Sequence, residues 1–418
     1  MGHLVGKDLY RTLGRKLDGL TMRAPWNDRL YALLKELYTA EEAELAIRMP
    51  YGLHPLDEIE RITGFEKAKL EKLIEQMSFK GLVIDVWTGD KYQYILSPMV
   101  VGIFEFTMMR TDDRLDAKQL ARQFVDYLSN DTSFWRANVG RGKKVGPLRT
   151  LPHDEAVAPD EHIEILDYEK ASAIIDSHSK YAIGICSCRH EKLHAGLKKC
   201  DIPLETCSTF GPATDFMIRH NFARAVTKSE MLDNLARAKD LGLVMCADNV
   251  QKDISFICFC CSCCCNVLLG ISKLGMPEVV VTSSYIADSD DTVCSECGVC
   301  AQVCPINAIA MKNDGGPDID QSICIGCGVC GLKCQTGAMT LTRRKQKVLH
   351  PDTMFERTIL QCLERGNLQN FIFQDPGRVS HKFMRAFVGG FLKLPPVKRS
   401  LMSDMLRSRF LDAMKKGA

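Results

Sequence analysis

Apolar positions first fall at helical intervals through Leu30, Leu33, Leu34 and Leu37, which predicts a helix with one buried face. Thr39 followed by Glu42 reads as a capping box opening the next helix, and Pro50 closes it. A third helix is expected over roughly Leu56 to Ile62, with Thr63-Gly64 as the turn. A fourth, about Glu66 to Phe79, buries Leu70, Leu73, Ile74 and Met77, and Gly81 supplies its left-handed stop. The period then shortens to two. Leu82 to Trp87 and Tyr92 to Leu96 are β-rich runs about Thr88-Gly89-Asp90, a hairpin. An amphipathic helix is expected from Asp112 to Leu128, then a polar stretch to about His162.

Beyond it, helix and strand patterns alternate. Tyr168 to Ser177 and Thr227 to Asp240, the latter opened by Thr227 with Glu230, precede strand-like runs at Tyr181 to Ile185 and Leu241 to Met245. Ile254 to Ile257 is a further strand-like run, and a helix over Cys263 to Lys273 precedes Val279 to Thr282. Alternation of this kind predicts a small α/β domain over about 160–286.

The first segment has the helix, turn, helix, hairpin order of a winged helix. The expected recognition helix over Glu66 to Phe79 carries Lys67, Lys69, Lys72 and, just past its end, Lys80 against Glu66, Glu71 and Glu75, with no arginine. A surface that tracks phosphates needs several uncompensated cations. Docking is therefore favoured over nucleic-acid binding. Arg141, Lys143, Lys144 and Arg149, among Gly140, Gly142, Gly146 and Pro147, read as a solvated connector. Neither a dinucleotide fingerprint nor a phosphate-binding loop with its Gly-Lys-Ser/Thr end occurs.

Composition changes the picture at one residue type. Of 418 residues twenty are cysteine, and nineteen of these lie between Cys186 and Cys334, with Cys362 beyond. Net charge is only +2, which excludes a strongly polyanion-seeking chain. With no leader pattern and no long apolar run, the expectation is a cytoplasmic protein without a transmembrane segment. In a reducing compartment metal ligation explains such thiols better than disulfides.

Cys294, Cys297, Cys300 and Cys304 are spaced C-x2-C-x2-C-x3-C and followed by Pro305; Cys324, Cys327, Cys330 and Cys334 repeat the spacing, followed by Gln335. Gly298 and Gly328 occupy matching places in the repeat. Three closely spaced thiolates embrace one 4Fe–4S cube, while the fourth departs to the neighbouring one. One cube is thus expected on Cys294, Cys297, Cys300 and Cys334, the other on Cys324, Cys327, Cys330 and Cys304. Residues 290–342 resemble the bacterial two-cluster ferredoxin, which implies electron transfer.

Eleven further cysteines lie upstream. Cys186-Ser-Cys188-Arg189-His190 follows a strand, with Cys200 and Cys207 next; Cys246 stands alone; Cys258, Cys260, Cys261, Cys263, Cys264 and Cys265 are crowded together. Cys186, Cys188, Cys200 and Cys207 are the leading quartet for at least one additional iron–sulfur centre, with zinc and buried structural thiols as alternatives. His190 is read as a ligand, a proton donor or a neighbouring histidine. The whole chain is similar to a set of anaerobe iron–sulfur proteins joining a winged-helix-like head, a Cys-x-Cys-Arg-His body and a terminal ferredoxin cassette. That resemblance implies an oxidoreductase context without a substrate.

The expected fold class is therefore α+β. A winged-helix-like domain spans 1–106, helix and linker 107–160, a cysteine-rich α/β domain 161–289, the two-cluster ferredoxin domain 290–342 and a helical basic tail 343–418. Residues 378–418 hold ten Lys or Arg and two Asp, which suits packing on the parent domain, an acidic partner or an anionic membrane surface. The favoured function is an electron-transfer protein or oxidoreductase subunit with redox protein partners. A redox- or iron-sensing regulator and a stand-alone reductase acting at the upstream centre are the alternatives.

Overall fold

The computed structural model of the protein describes residues 2–112, 114–139, 143–159, 165–313, 315–346 and 348–417. It forms two compact units: Met1–Asn138 together with Met354–Ala418, and Val139–Thr353.

The first unit is built on the helices Asp28–Leu37, Ala40–Arg48, Leu56–Thr63 and Lys67–Phe79. Leu30, Leu33, Leu34 and Leu37 are buried on the first of these. The Thr39 hydroxyl accepts from Glu42 N at 3.2 Å, and Glu42 Oε2 accepts from Thr39 N at 2.8 Å, so the capping box satisfies two donors at once. Gly64, at φ 71°, terminates the Leu56–Thr63 helix in the left-handed region that glycine enters without steric cost. The two-residue strand β1 (His54–Pro55), β2 (Val83–Trp87) and β3 (Tyr92–Leu96) form an antiparallel sheet in the order β1-β3-β2.

The chain's C-terminal helices fold back onto this helical body. Arg365 donates to Thr21 O at 2.7 Å, Asn370 to Gly19 O at 2.9 Å, and Tyr51 N to Gln374 O at 3.2 Å. Cys362, fully buried on the helix Met354–Arg365, belongs to this packing and lies in the first unit, whereas the other cysteines lie in the second. The next long helix, Val379–Leu392, buries Gly389 and Leu392 but turns Phe383, Phe387 and Phe391 outward, each more than half exposed. Among the described residues no helix is long and apolar enough to cross a membrane.

The second unit centres on a six-stranded sheet of β4 (Leu148–Leu151), β5 (Tyr181–Ile185), β6 (Glu205–Phe210), β7 (Ala223–Val226), β8 (Val244–Asp248) and β9 (Phe256–Cys260), in the order β4-β8-β9-β6-β5-β7. Ile174, Ile175, Met231, Leu235, Met245, Ile257 and Phe259 contribute to its hydrophobic core. Helices Ala171–Asp176 and Lys228–Asp240 supply the side opposite the strands. Four shorter strands, β10 (Tyr285–Ser289), β11 (Ile309–Met311), β12 (Pro317–Ile319) and β13 (Met339–Arg343), pair as β10-β13 and β11-β12.

Three findings refine the sequence reading here. The α/β alternation leaves strand direction open, and every ladder pairing in the large sheet is antiparallel. Short helices such as Ser187–His194 return the chain beside its own strand in reverse instead of crossing over the sheet. Second, the expected connector contains the edge strand β4. Arg149 there is fully buried, donating from Nε to Asp248 O at 3.0 Å and from its guanidinium to Tyr168 O, so it is no solvated loop cation. Gly140, Arg141 and Gly142, and the junction at 160–161, lie outside the described residues. Third, Val279 to Thr282 is not a ladder strand; a short 3-10 turn occupies Pro277–Val279, and Val281 N bonds Leu148 O beside β4.

Thr227 caps the helix Lys228–Asp240 in the same reciprocal way as Thr39, accepting from Glu230 N at 3.2 Å. Thr227→Ala removes one partner of that box and should cost about 1 kcal/mol of helix stability. Hydrogen exchange should read this as faster amide exchange confined to Lys228–Asp240; unchanged protection there would show that the cap carries no stability.

Candidate metal centres

The repeated cysteine motif folds into two loop–helix turns. Gly298 and Gly328, both left-handed at φ 72° and 83°, cap the short helices Val299–Val303 and Val329–Leu332. Gly326, at φ 66°, sits where an added Cβ would fall 2.1 Å from Tyr285 O, so the loop between Cys324 and Cys327 is closed against the β10 backbone. No L side chain fits that approach.

Cys324, Cys327 and Cys330 are buried, and with Cys304 they line one small cavity walled by Ile306, Ile325 and Leu341. Cys304 therefore faces the other repeat's three cysteines, as the spacing predicts. Its Sγ also accepts from Ala308 N at 3.1 Å. In the first repeat Cys297 is exposed, Cys294 is half-buried, and Cys334 lies close enough to Cys297 for their charges to interact. Cys334 Sγ accepts from Met339 N and Cys294 Sγ from Glu296 N, both at 3.4 Å. A backbone N–H from Val299 lowers the Cys297 thiol below its ordinary range, whereas burial pushes Cys330 up to about 12. All eight donors are sulfur, the cradle glycines admit no Cβ without strain, and the cavity wall is apolar. These residues fit two cubes, one near the surface and one enclosed.

The upstream thiols separate into two groups, and this divides the expected quartet. Cys200 meets Cys261, Cys263 and Cys264, with Sγ–Sγ distances of 3.9 Å from Cys200 to Cys261 and to Cys264, 3.8 Å from Cys263 to Cys261 and 3.5 Å from Cys263 to Cys264. All four sulfurs lie within 4.8 Å of one another. Cys186, Cys188 and Cys207 instead belong with Cys246, Cys258, Cys260 and Cys265. Ladder pairing sets Cys246 directly opposite Cys258. Within this group Cys207 raises the Cys258 thiol, Cys246 the Cys260 thiol and Cys265 the Cys188 thiol, each together with burial. Burial raises the Cys186 thiol to about 12, with Cys188 nearby adding to it.

Arg189 stands between the two groups. Fully buried, it donates to Thr206 Oγ1 and Phe259 O and lies close enough to the Cys261 sulfur for their charges to interact. Burial alone would lower its pKa; the sulfurs of Cys186, Cys261 and Cys260 outweigh that and hold the guanidinium charged. Glu191 is buried against Lys192 Nζ at 2.6 Å and Asn266 Nδ2 at 3.0 Å, beside Cys188 and Cys265. Its Oε1 receives no hydrogen bond among the described residues. His190 meets His194, Nε2 to Nε2 at 2.8 Å, one ring donating to the other.

Spacing alone missed Cys246 and the six crowded cysteines as members of defined groups. The ladder register was the only signal that could place Cys246, and register is not readable from a lone cysteine. Comparison with known families matches residues 293–352 to the 4Fe-4S dicluster domain. No curated protein and no solved structure matches the chain. The chain thus carries an iron–sulfur, ferredoxin-type cassette in a cysteine-rich setting.

Crossed ligation predicts an asymmetric lesion. Cys304→Ala should perturb the EPR signal of the cube on Cys324, Cys327 and Cys330 and leave the cube on Cys294, Cys297 and Cys300 intact. Loss of the latter with the former preserved would reverse the assignment.

Proposed function

We propose that the protein is an electron-transfer component of an oxidoreductase, holding two 4Fe–4S clusters in the cassette and a further iron–sulfur cluster among Cys186, Cys188, Cys207, Cys246, Cys258, Cys260 and Cys265. The observation that carries this reading is the pair of four-thiol cradles, one opening at exposed Cys297 and the other enclosed by apolar walls. A bound cube supplies one-electron exchange at nearly constant geometry. Around it the chain orients the thiolates, donates amide hydrogens to their sulfurs and excludes water from the inner quartet. Arg189 offsets the charge gathered upstream, and Glu191 with Lys192 and Asn266 braces the Cys188 and Cys265 side of that group.

The winged-helix reading of the head rests on its helices followed by a hairpin whose free edge takes up β1. We favour a docking role toward a redox protein over DNA binding. Lys69 is paired with Glu41 and Lys80 with Glu42, each at 2.7 Å, so two of the four cations on that surface are already compensated. Phe383, Phe387 and Phe391, flanked by exposed Arg378, Lys382 and Lys393, support contact of the tail with an acidic partner or an anionic membrane surface. The cytoplasm is the expected compartment for so many unpaired thiols.

Iron and acid-labile sulfide counted anaerobically on the full chain, with EPR after reduction, test the function. The expected result is more than about eight of each per chain, the complement of two cubes, with the excess lost in Cys258→Ser. A chain with no sulfide, or one whose clusters cannot be reduced, would overturn the electron-transfer reading.

The docking role is tested separately. Lys67→Glu combined with Lys72→Glu should leave gel-shift behaviour unchanged, because the intact protein should bind no DNA selectively in modest salt. Salt-sensitive, sequence-selective binding abolished by that double change would promote the regulator instead.

A further inference from the structure

We propose that Cys200, Cys261, Cys263 and Cys264 hold a single four-coordinate thiophilic metal ion, structural and separate from every iron–sulfur cluster of the chain. The argument is metric. Four sulfurs each about 2.3 Å from one tetrahedral ion stand about 3.8 Å apart. The four measured separations run from 3.5 to 3.9 Å, and no pair exceeds 4.8 Å. A cube places an iron at each thiolate, so its four sulfurs are spread by the metal–metal separations as well as by the bonds. Consistent with this, the tetrad is the one group of thiols among the described residues that converges so closely, and the cassette quartets do not.

The surroundings are those of a closed site. Cys261 and Cys264 are buried within the hydrophobic core, and Cys200 and Cys263 pack against its margin. Three of the ligands come from one tight turn, where Cys265 N bonds Cys261 O at 3.1 Å; the fourth comes from the loop after Ser187–His194, tying it to the end of β9. All four positions are filled by protein sulfur, leaving none open for substrate, which is the pattern of a structural ion. Four thiolates on a divalent ion carry a net charge of −2, and the buried Arg189 guanidinium, near enough to Cys261 for their charges to interact, offsets part of it.

Zinc and iron share this ligand chemistry, and the measurements separate them. Cys200→Ser and Cys263→Ser are made in the full-length chain and purified anaerobically. Each should lose one metal equivalent, with sulfide content and the EPR of the reduced clusters unchanged. If the ion is zinc, zinc falls by one and iron is constant. If it is iron, iron falls by one and the high-spin ferric signal of the oxidised protein disappears. Loss of sulfide together with several irons would make the tetrad a cluster site and overturn the proposal while leaving the cassette untouched. Should the variants not fold, the unaltered chain decides. Zinc-edge absorption showing four sulfurs with no neighbouring metal, or a high-spin ferric signal in the oxidised state, supports the proposal. A chain with neither zinc nor iron beyond what its sulfide accounts for refutes it.

Discussion

Gathering thiol sulfur in a protein interior creates a charge problem, and the second unit is organised around its solution. A thiolate is the ligating form, yet burial favours the neutral thiol. Cys186 and Cys330 show the conflict directly, with burial pushing both to about 12. Three devices oppose it. Backbone amides donate to the sulfurs of Cys294, Cys304 and Cys334, the Arg189 guanidinium is buried between the two upstream groups, and the four sulfurs of Cys200, Cys261, Cys263 and Cys264 converge where a cation can sit. Without a cation the amides and Arg189 alone oppose the repulsion of the gathered thiolates, so in the proposed role metal binding would stabilise the fold of this unit.

The antiparallel sheet makes the upstream convergence geometrically cheap. Cysteines leave β5, enter β6 and stand on β8 and β9, and those four strands are contiguous in the order β8-β9-β6-β5. Neighbouring strands run about 4.8 Å apart, so side chains at matching positions reach one another without distorting the ladder. Cys246 opposite Cys258 is the simplest case. A register shift between Gly184 and Ile185 then re-aims the end of β5, just before Cys186 leaves the ladder.

Legibility followed the range of the interaction. The helices of the head, both capping boxes and the placing of Cys304 beside the other repeat's cysteines were readable because each depends on residues a few positions apart or on a regular spacing. The eight cassette cysteines carry their grouping in their intervals. The eleven upstream ones do not, because their grouping depends on strand order and register. Cys200 lies only seven residues from Cys207 yet joins Cys261, Cys263 and Cys264, sixty or more residues away. Arg149 was misread for a similar reason. A basic residue in a Gly- and Pro-bearing stretch resembles a loop cation until its partners, the carbonyls of Tyr168 and Asp248, are placed by the fold.

Solvent exposure distinguishes the two cassette cradles in a way that bears on direction. Adding an electron adds negative charge, which an apolar enclosure opposes and nearby water or amide donors accept. The quartet of Cys294, Cys297, Cys300 and Cys334 has an exposed member and several N–H donors; that of Cys304, Cys324, Cys327 and Cys330 is walled by Ile306, Ile325 and Leu341. In an electron-relay role the outer cradle is the lower-energy seat for the electron, and it is also the one a partner can approach. The inner cradle is less hospitable to added charge. In that role two copies of one motif would differ through their exposure, donors and walls, since their ligands and spacing are the same.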